Sequence, residues 1–255
     1  GARAHIPRVD PPDRPGYASR MRRLQIILAL FALGLLAPSV AGAAVSCGGS
    51  ALDVDGSGAV TGIKAGSSSC TDLTIPVSVS GTTITSIAPD AFAPSPSPNS
   101  ANLVTVDASA ATGMTSVGNY AFQGATHLTT VTLPLGLLTI GNSAFYGATG
   151  LTSVAIPGTV TSIGNSAFYN DSSLTSVTFP GVSHLTSIGT YAFLSTALTA
   201  FAMPNSVTTL GTGAFYHATN LASVSLSAAL TSIPADAFYQ DGALTGSLTI
   251  PAGDT

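Results

Sequence analysis

Past residue 44 the chain carries His127, His184 and His217 together with nine aspartates, the side chains that acid–base or metal chemistry would need. A hydrolase triad requires a nucleophile, a base and an orienting acid in mutual contact. These histidines fall in separate segments with no carboxylate at a matching register, and they read as solvated loop residues. A glycosidase requires two carboxyls at a set separation across a cleft. Asp171, Asp236 and Asp241 instead occupy turns, where Asp is favoured because its side chain bonds the local backbone. No Cys, His or carboxylate cluster within the repeats has metal-ligand spacing, and no cofactor is expected. The expectation is a protein without catalytic residues or cofactor.

One motif needs weighing. Asp53-Val54-Asp55-Gly56-Ser57-Gly58-Ala59-Val60-Thr61 resembles the first nine residues of a calcium loop, with Asp at positions one and three, Ser at five and Gly at six. Position twelve is Lys64, where such a loop needs a bidentate carboxylate, and no helix-forming stretch flanks it. The sequence therefore favours a β-turn over a calcium site. Cys47 and Cys70 bracket this segment. In an exported chain a disulfide is the expected reading, stabilising by roughly 3 kcal/mol through loop closure. The rival is lipidation of Cys47, although Ala44-Val45-Ser46 lacks the Leu that a lipobox places three residues before its cysteine.

The element that must position all these residues is a repeat. Ala-Phe pairs recur at Phe92, Phe122, Phe145, Phe168, Phe193, Phe215 and Phe238, the last five intervals being 23, 23, 25, 22 and 23 residues. A leucine column runs in step through Leu128, Leu151, Leu174, Leu198, Leu221 and Leu244. Each unit holds two short β-type runs, as in Leu151-x-x-Val154-x-Ile156 and Val160-x-x-Ile163. Pro157 ends the first run, since proline cannot donate to a ladder. Gly164 and its equivalents Gly118, Gly141, Gly189 and Gly211 mark the second corner, where positive φ is expected. A coil cannot bury its apolar face alone; stacked coils build continuous columns and cover one another's edges. The prediction is an all-β-rich solenoid of about 23 residues per coil over residues 73–255, behind a cap at 45–72. Ala93–Ser100 reads as a projecting Pro/Ser loop, and Val182-Ser183-His184 contains two extra residues. The last unit breaks off at Ile250–Thr255, so a continuation is expected.

Charge and the leader bound the setting. Only 7% of residues are charged, which alone would favour disorder, but 45% are apolar and can offset chain entropy by burial. Six of the seven bases precede residue 24, leaving Lys64 as the only one beyond residue 44. Such a body cannot neutralise phosphates, which excludes nucleic acid and anionic membrane surfaces as partners. Met21-Arg22-Arg23, the apolar run Leu24–Leu36 and the small residues Ala41-Gly42-Ala43-Ala44 form a secretory signal over 21–44, cut after Ala43 or Ala44. The run of about 13 residues is short of the roughly 20 that span a bilayer, so no membrane span is expected in the mature chain. Residues 1–20, rich in Pro and Arg, read as an upstream or non-native segment.

The unit L-T-S-V-x-I-P-x-x-V-T-S-I-G-x-x-A-F-Y-G resembles the BspA-like, or Treponema-type, leucine-rich repeats over about residues 73–251. The resemblance implies a right-handed solenoid on a secreted or cell-surface bacterial protein, with a role in adhesion. Family units commonly carry Cys three residues after the Phe; here Ala125, Ala148, Asp171, Ala218 and Asp241 stand at those places.

Function is then expected on outward columns. The first strand presents Thr130, Ser153, Ser176, Ala200, Ser223 and Ser247, beside Thr132, Ala155, Thr178, Ala202, Ser225 and Thr249. Tyr146, Tyr169, Tyr216 and Tyr239 each follow a core Phe. Exposed, they would stack on sugars or anchor a protein; alternatively their rings pack on neighbouring coils. The readings are a binder of an extracellular protein or glycan, a structural spacer or coat module, and an ice-ordering face built on Thr130-x-Thr132 and Ser176-x-Thr178. Ala155, Ala200 and Ala202 interrupt the last of these.

Overall fold

A computed structural model describes residues 45–67, 69–94 and 100–245. The segment 21–44 read as a leader, the segment 1–20, most of the Pro/Ser insertion and residues 246–255 lie outside the described residues.

The described chain is a β-solenoid in which two rows of very short strands wind around one apolar interior. One row comprises β1 (Ser46–Cys47), β4 (Asp72–Thr74), β8 (Thr105–Asp107), β10 (Thr130–Thr132), β12 (Ser153–Ala155), β14 (Ser176–Thr178), β16 (Ala200–Ala202) and β18 (Ser223–Ser225). The other comprises β2 (Leu52–Val54), β3 (Ala59–Ile63), β7 (Ser86–Ile87), β9 (Ser116–Val117), β11 (Thr139–Ile140), β13 (Ser162–Ile163), β15 (Ser187–Ile188) and β17 (Thr209–Leu210). A small hairpin, β5 (Ser78–Val79) with β6 (Thr82–Thr83), stands apart from both.

The second row is one eight-stranded sheet, parallel throughout except where β2 and β3 close it as an antiparallel hairpin. That hairpin covers the ladder edge that would otherwise invite strand addition. The first row is parallel but broken into groups of four, two and two strands, with interruptions between β10 and β12 and between β14 and β16. Both rows begin inside the segment read as a cap, because β1 pairs with β4 and β3 with β7. β-Branched and small hydroxyl residues suit these half-buried strands, with their central residues inward: Val154 is 3% exposed and Ile163 1%.

The phenylalanines form a spine. Successive rings from Phe92 to Phe238 stack at centroid spacings of 5.0, 5.0, 5.1, 5.3, 5.4 and 5.3 Å. That spacing follows the strand separation of about 4.8 Å, so ring and ladder share one repeat. Leu128, Leu151, Leu174, Leu198 and Leu221 are fully buried beside them.

The corner glycines correct one expectation. Gly118, Gly141, Gly164, Gly189 and Gly211 are not in the left-handed region. They are glycine for space: a Cβ on Gly164 would lie 2.6 Å from both the Asn142 nitrogen and the Gly141 carbonyl carbon of the preceding coil. The left-handed turn falls two residues later, on Tyr120, Ser143, Ser166, Tyr191 and Gly213. That conformation aims each amide along the solenoid axis, so Ser143 N–H donates to the Asn165 carbonyl at 2.8 Å and Ser166 to that of Thr190 at 2.8 Å.

An asparagine ladder locks the same corner. Asn119 Oδ1 accepts from Asn142 N–H at 2.8 Å, Asn142 Oδ1 from Asn165 at 2.9 Å, and Asn165 Oδ1 from Thr190 at 2.9 Å. Each rung satisfies a corner amide that the ladders leave unpaired.

Candidate functional site

The strand face expected to bind is outward. Thr130, Thr132 and Thr178 are exposed and Ser176 half-buried, in register on their ladders. The break between β14 and β16 interrupts this face just where Ala200 and Ala202 remove its hydroxyls.

The tyrosine column packs in pairs. Tyr146 and Tyr169 stack at 4.7 Å, and Tyr216 and Tyr239 meet at 5.2 Å with a 31° tilt. Leu194 takes the tyrosine place in the coil between them. Tyr146, Tyr169 and Tyr216 are half-buried, whereas Tyr239 is 51% exposed. The inner faces of Tyr146 and Tyr169 are thus committed to each other, leaving ring edges and hydroxyls for a partner.

At the calcium-like segment, one oxygen of Asp55 accepts from the Ser57 amide at 2.8 Å, the Ser57 hydroxyl at 2.7 Å and the Ala59 amide at 3.0 Å. The Ser57 hydroxyl, with help from these amides, holds the carboxyl below the usual Asp range. Asp55 is therefore the organiser of the β2–β3 turn. Asp53 lies on β2, and no group of three or more His, Cys, Asp or Glu among the described residues has ligand geometry. Cys47 and Cys70 are joined as a disulfide, with Cα atoms 5.9 Å apart, tying β1 to the chain just before β4.

The histidines behave differently from one another. His184 Nδ1 meets the Gly158 carbonyl at 2.9 Å and so pins the two-residue insertion to the preceding coil. His217 Nδ1 lies 3.2 Å from the Ser195 hydroxyl of the previous coil. The sequence reading missed this pair, because Ser195 and His217 stand 22 residues apart and adjoin only once the coils stack. No carboxylate is hydrogen-bonded to His217 among the described residues, so a base lacks its orienting acid.

A family model for the BspA type leucine-rich repeat region matches in six copies over residues 85–219 and 139–253. The chain belongs to this family. A leucine-rich repeat protein of T. pallidum (TpLRR) has a similar fold, at 24% identity and TM-score 0.52, covering 73% of this chain and 71% of that one. The pneumococcal vaccine antigen PcpA is similar at 25% identity and TM-score 0.52, over 68% of this chain and 45% of that one. The sequence matches no curated protein. No helix among the described residues is long and apolar enough to cross a membrane.

Within this BspA-type solenoid, the column three residues past each Phe points inward: Ala125, Ala148, Asp171, Thr196, Ala218 and Asp241 are all buried. Asp171 and Asp241 are therefore interior carboxyls, and the reading that they serve ordinary turns is corrected. The position is a turn by backbone, but its side chain faces the core. Neither oxygen of Asp171 makes a well-aligned hydrogen bond, and burial raises its pKa well above the usual range despite the nearby amides of Ala148 and Gly147. Burial likewise pushes Asp241 up to about 7, although Ala218 N–H donates to it at 2.7 Å. Asp236 stays exposed in a left-handed turn, as its type favours.

Proposed function

We propose that the protein is an exported, non-catalytic binder that engages an extracellular protein or glycan through the outer surface of its solenoid. The observation that carries this reading is the division of labour in each coil. The repeated Leu, Val, Ile and Phe of each coil are consumed in the stack, and the outward strand positions are small and uncharged, most of them Ser or Thr. Repeating one shallow surface over many coils gives an extended area for recognition rather than a reaction centre. Export rests on the segment 21–44, and surface display is in keeping with a solved relative described as a vaccine antigen.

The test is a binding screen of the full chain against matrix proteins and a glycan array, beside a variant with Tyr146, Tyr169, Tyr216 and Tyr239 changed to Ser. Circular dichroism checks that the variant folds. Binding lost in the variant supports a tyrosine-edge site; equal binding moves the contact to the strand face. A folded chain that binds nothing sinks the proposal in favour of a spacer or coat module. The continuous phenylalanine stack, which joins each coil to the next through the core, favours that second reading. An ice-ordering face is poorly served by a first row broken into three sheets, and absence of thermal hysteresis would end it.

A further inference from the structure

One coil has a shortened corner. Between Phe193 and Leu198 stand four residues, where the coils on either side place five, Tyr169–Ser173 and Tyr216–Asn220. The missing residue leaves a notch of about 300 Å³ between the two longer corners. Ser195 lines its floor, Asn170 and Ser172 one wall, and His217, Thr219 and Asn220 the other.

Asn170, Ser195 and His217 occupy equivalent left-handed positions, with φ of 60°, 54° and 60°. The two preceding coils place Gly124 and Gly147 there, which have no side chain to offer. The backbones of the three residues are fixed by forward bonds: Asn170 N–H to the Leu194 carbonyl at 2.8 Å, Ser195 to Tyr216 at 2.9 Å, and His217 to Tyr239 at 2.8 Å. The Ser195 hydroxyl and His217 Nδ1 orient each other at 3.2 Å. The site is thus preorganised by the coil stack, which lowers the entropy cost of binding.

The lining is mixed: two carboxamides, hydroxyls and one imidazole beside the methyl of Ala197, with no Lys, Arg or Asp. The carboxyl of the adjoining turn, Asp171, is turned into the core. A phosphate or carboxylate ligand would find no Lys or Arg in the lining, and the apolar part of the lining suits the C–H face of a sugar ring. A ring bearing several hydroxyls would find donors and acceptors on three sides, in a volume at the small end of ligand pockets. We propose that this notch is a binding site for a neutral saccharide, held by Asn170, Ser195, His217 and Asn220. The proposal rests on the protein being an extracellular binder and names the ligand class of one of its sites.

The test uses the full chain, ¹⁵N-labelled, titrated with methyl glycosides of glucose, galactose, mannose and N-acetylglucosamine. In parallel, the chain is screened against immobilised matrix proteins. The expected result is millimolar binding of at least one glycoside, with shifts centred on the Asn170 and Asn220 amides and the His217 ring. The Asn170→Ala/His217→Ala double variant should lose about tenfold in affinity, the size that two neutral hydrogen bonds imply. Asn205→Ala, in a different cleft, should bind as before. Glycoside binding that the double variant retains overturns the notch as the site. A chain that binds a matrix protein but no glycoside overturns the saccharide proposal alone. A folded chain that binds neither overturns both it and the reading beneath it.

Discussion

Asp171 and Ala148 hold the same inward position in successive coils, so that an ionisable carboxyl replaces a methyl group in a buried column. The amides of the two residues close the same turn, Ala148 donating to Phe145 at 2.9 Å and Asp171 to Phe168 at 3.4 Å. Both side chains are fully buried.

Stability should therefore fall as pH rises. In the unfolded chain Asp ionises near pH 4, whereas in the folded chain Asp241 stays protonated up to about 7 and Asp171 is also raised. Between those values the unfolded state holds fewer protons, so raising pH favours unfolding. Thermal melts from pH 4 to pH 8 should show a declining Tm. Asp171→Ala should flatten the decline and raise Tm at pH 8 by about 3 °C or more. A variant that melts lower than the parent at pH 8 would show the carboxyl to be stabilising.

The two kinds of glycine should respond differently to a methyl group. Gly164→Ala drives a Cβ into the backbone of the preceding coil, an overpacking worth about 1–3 kcal/mol. Gly147→Ala meets nothing within 4 Å and bears only its left-handed φ of 69°, at about 1–2 kcal/mol. Denaturant melts of the two variants rank them; equal losses would contradict the space argument for the corner glycines.

Phe168 lies mid-spine, with rings 5.1 and 5.3 Å on either side. Phe168→Ala should cost about 3–5 kcal/mol. A loss below about 1 kcal/mol, measured by chemical denaturation, would mean that the stack contributes little.

Reduction of Cys47–Cys70 should free β1 and weaken the first coils. The expected loss is roughly 3 kcal/mol, seen as a lower Tm in dithiothreitol. Mass spectrometry of the unreduced chain, finding either a free thiol or a lipid on Cys47, would contradict the bond.

Asn142→Ala removes one acceptor rung and leaves the Asn165 amide without its side-chain partner. About 1 kcal/mol should be lost. Hydrogen exchange should quicken at Asn165 first.

The sequence by itself determined the architecture. A period of 23 residues with Leu, Val, Ile and Phe at fixed phases leaves stacking as the only way to bury them, and the coils follow that phase apart from the insertion around Ser183 and the shortened corner after Phe193. It also placed Thr130, Thr132, Ser176 and Thr178 outward, because alternation along a strand is a local property. Three things needed the tertiary structure. The corner glycines are set by the distance to the preceding coil, which no single unit encodes. Asp171 looks like a turn residue until the direction of its side chain is known, since a turn that closes onto a core turns one of its side chains inward. The Ser195–His217 contact and the notch around it exist only between coils, where a shortened corner in one unit becomes a space only when its longer neighbours stand on both sides.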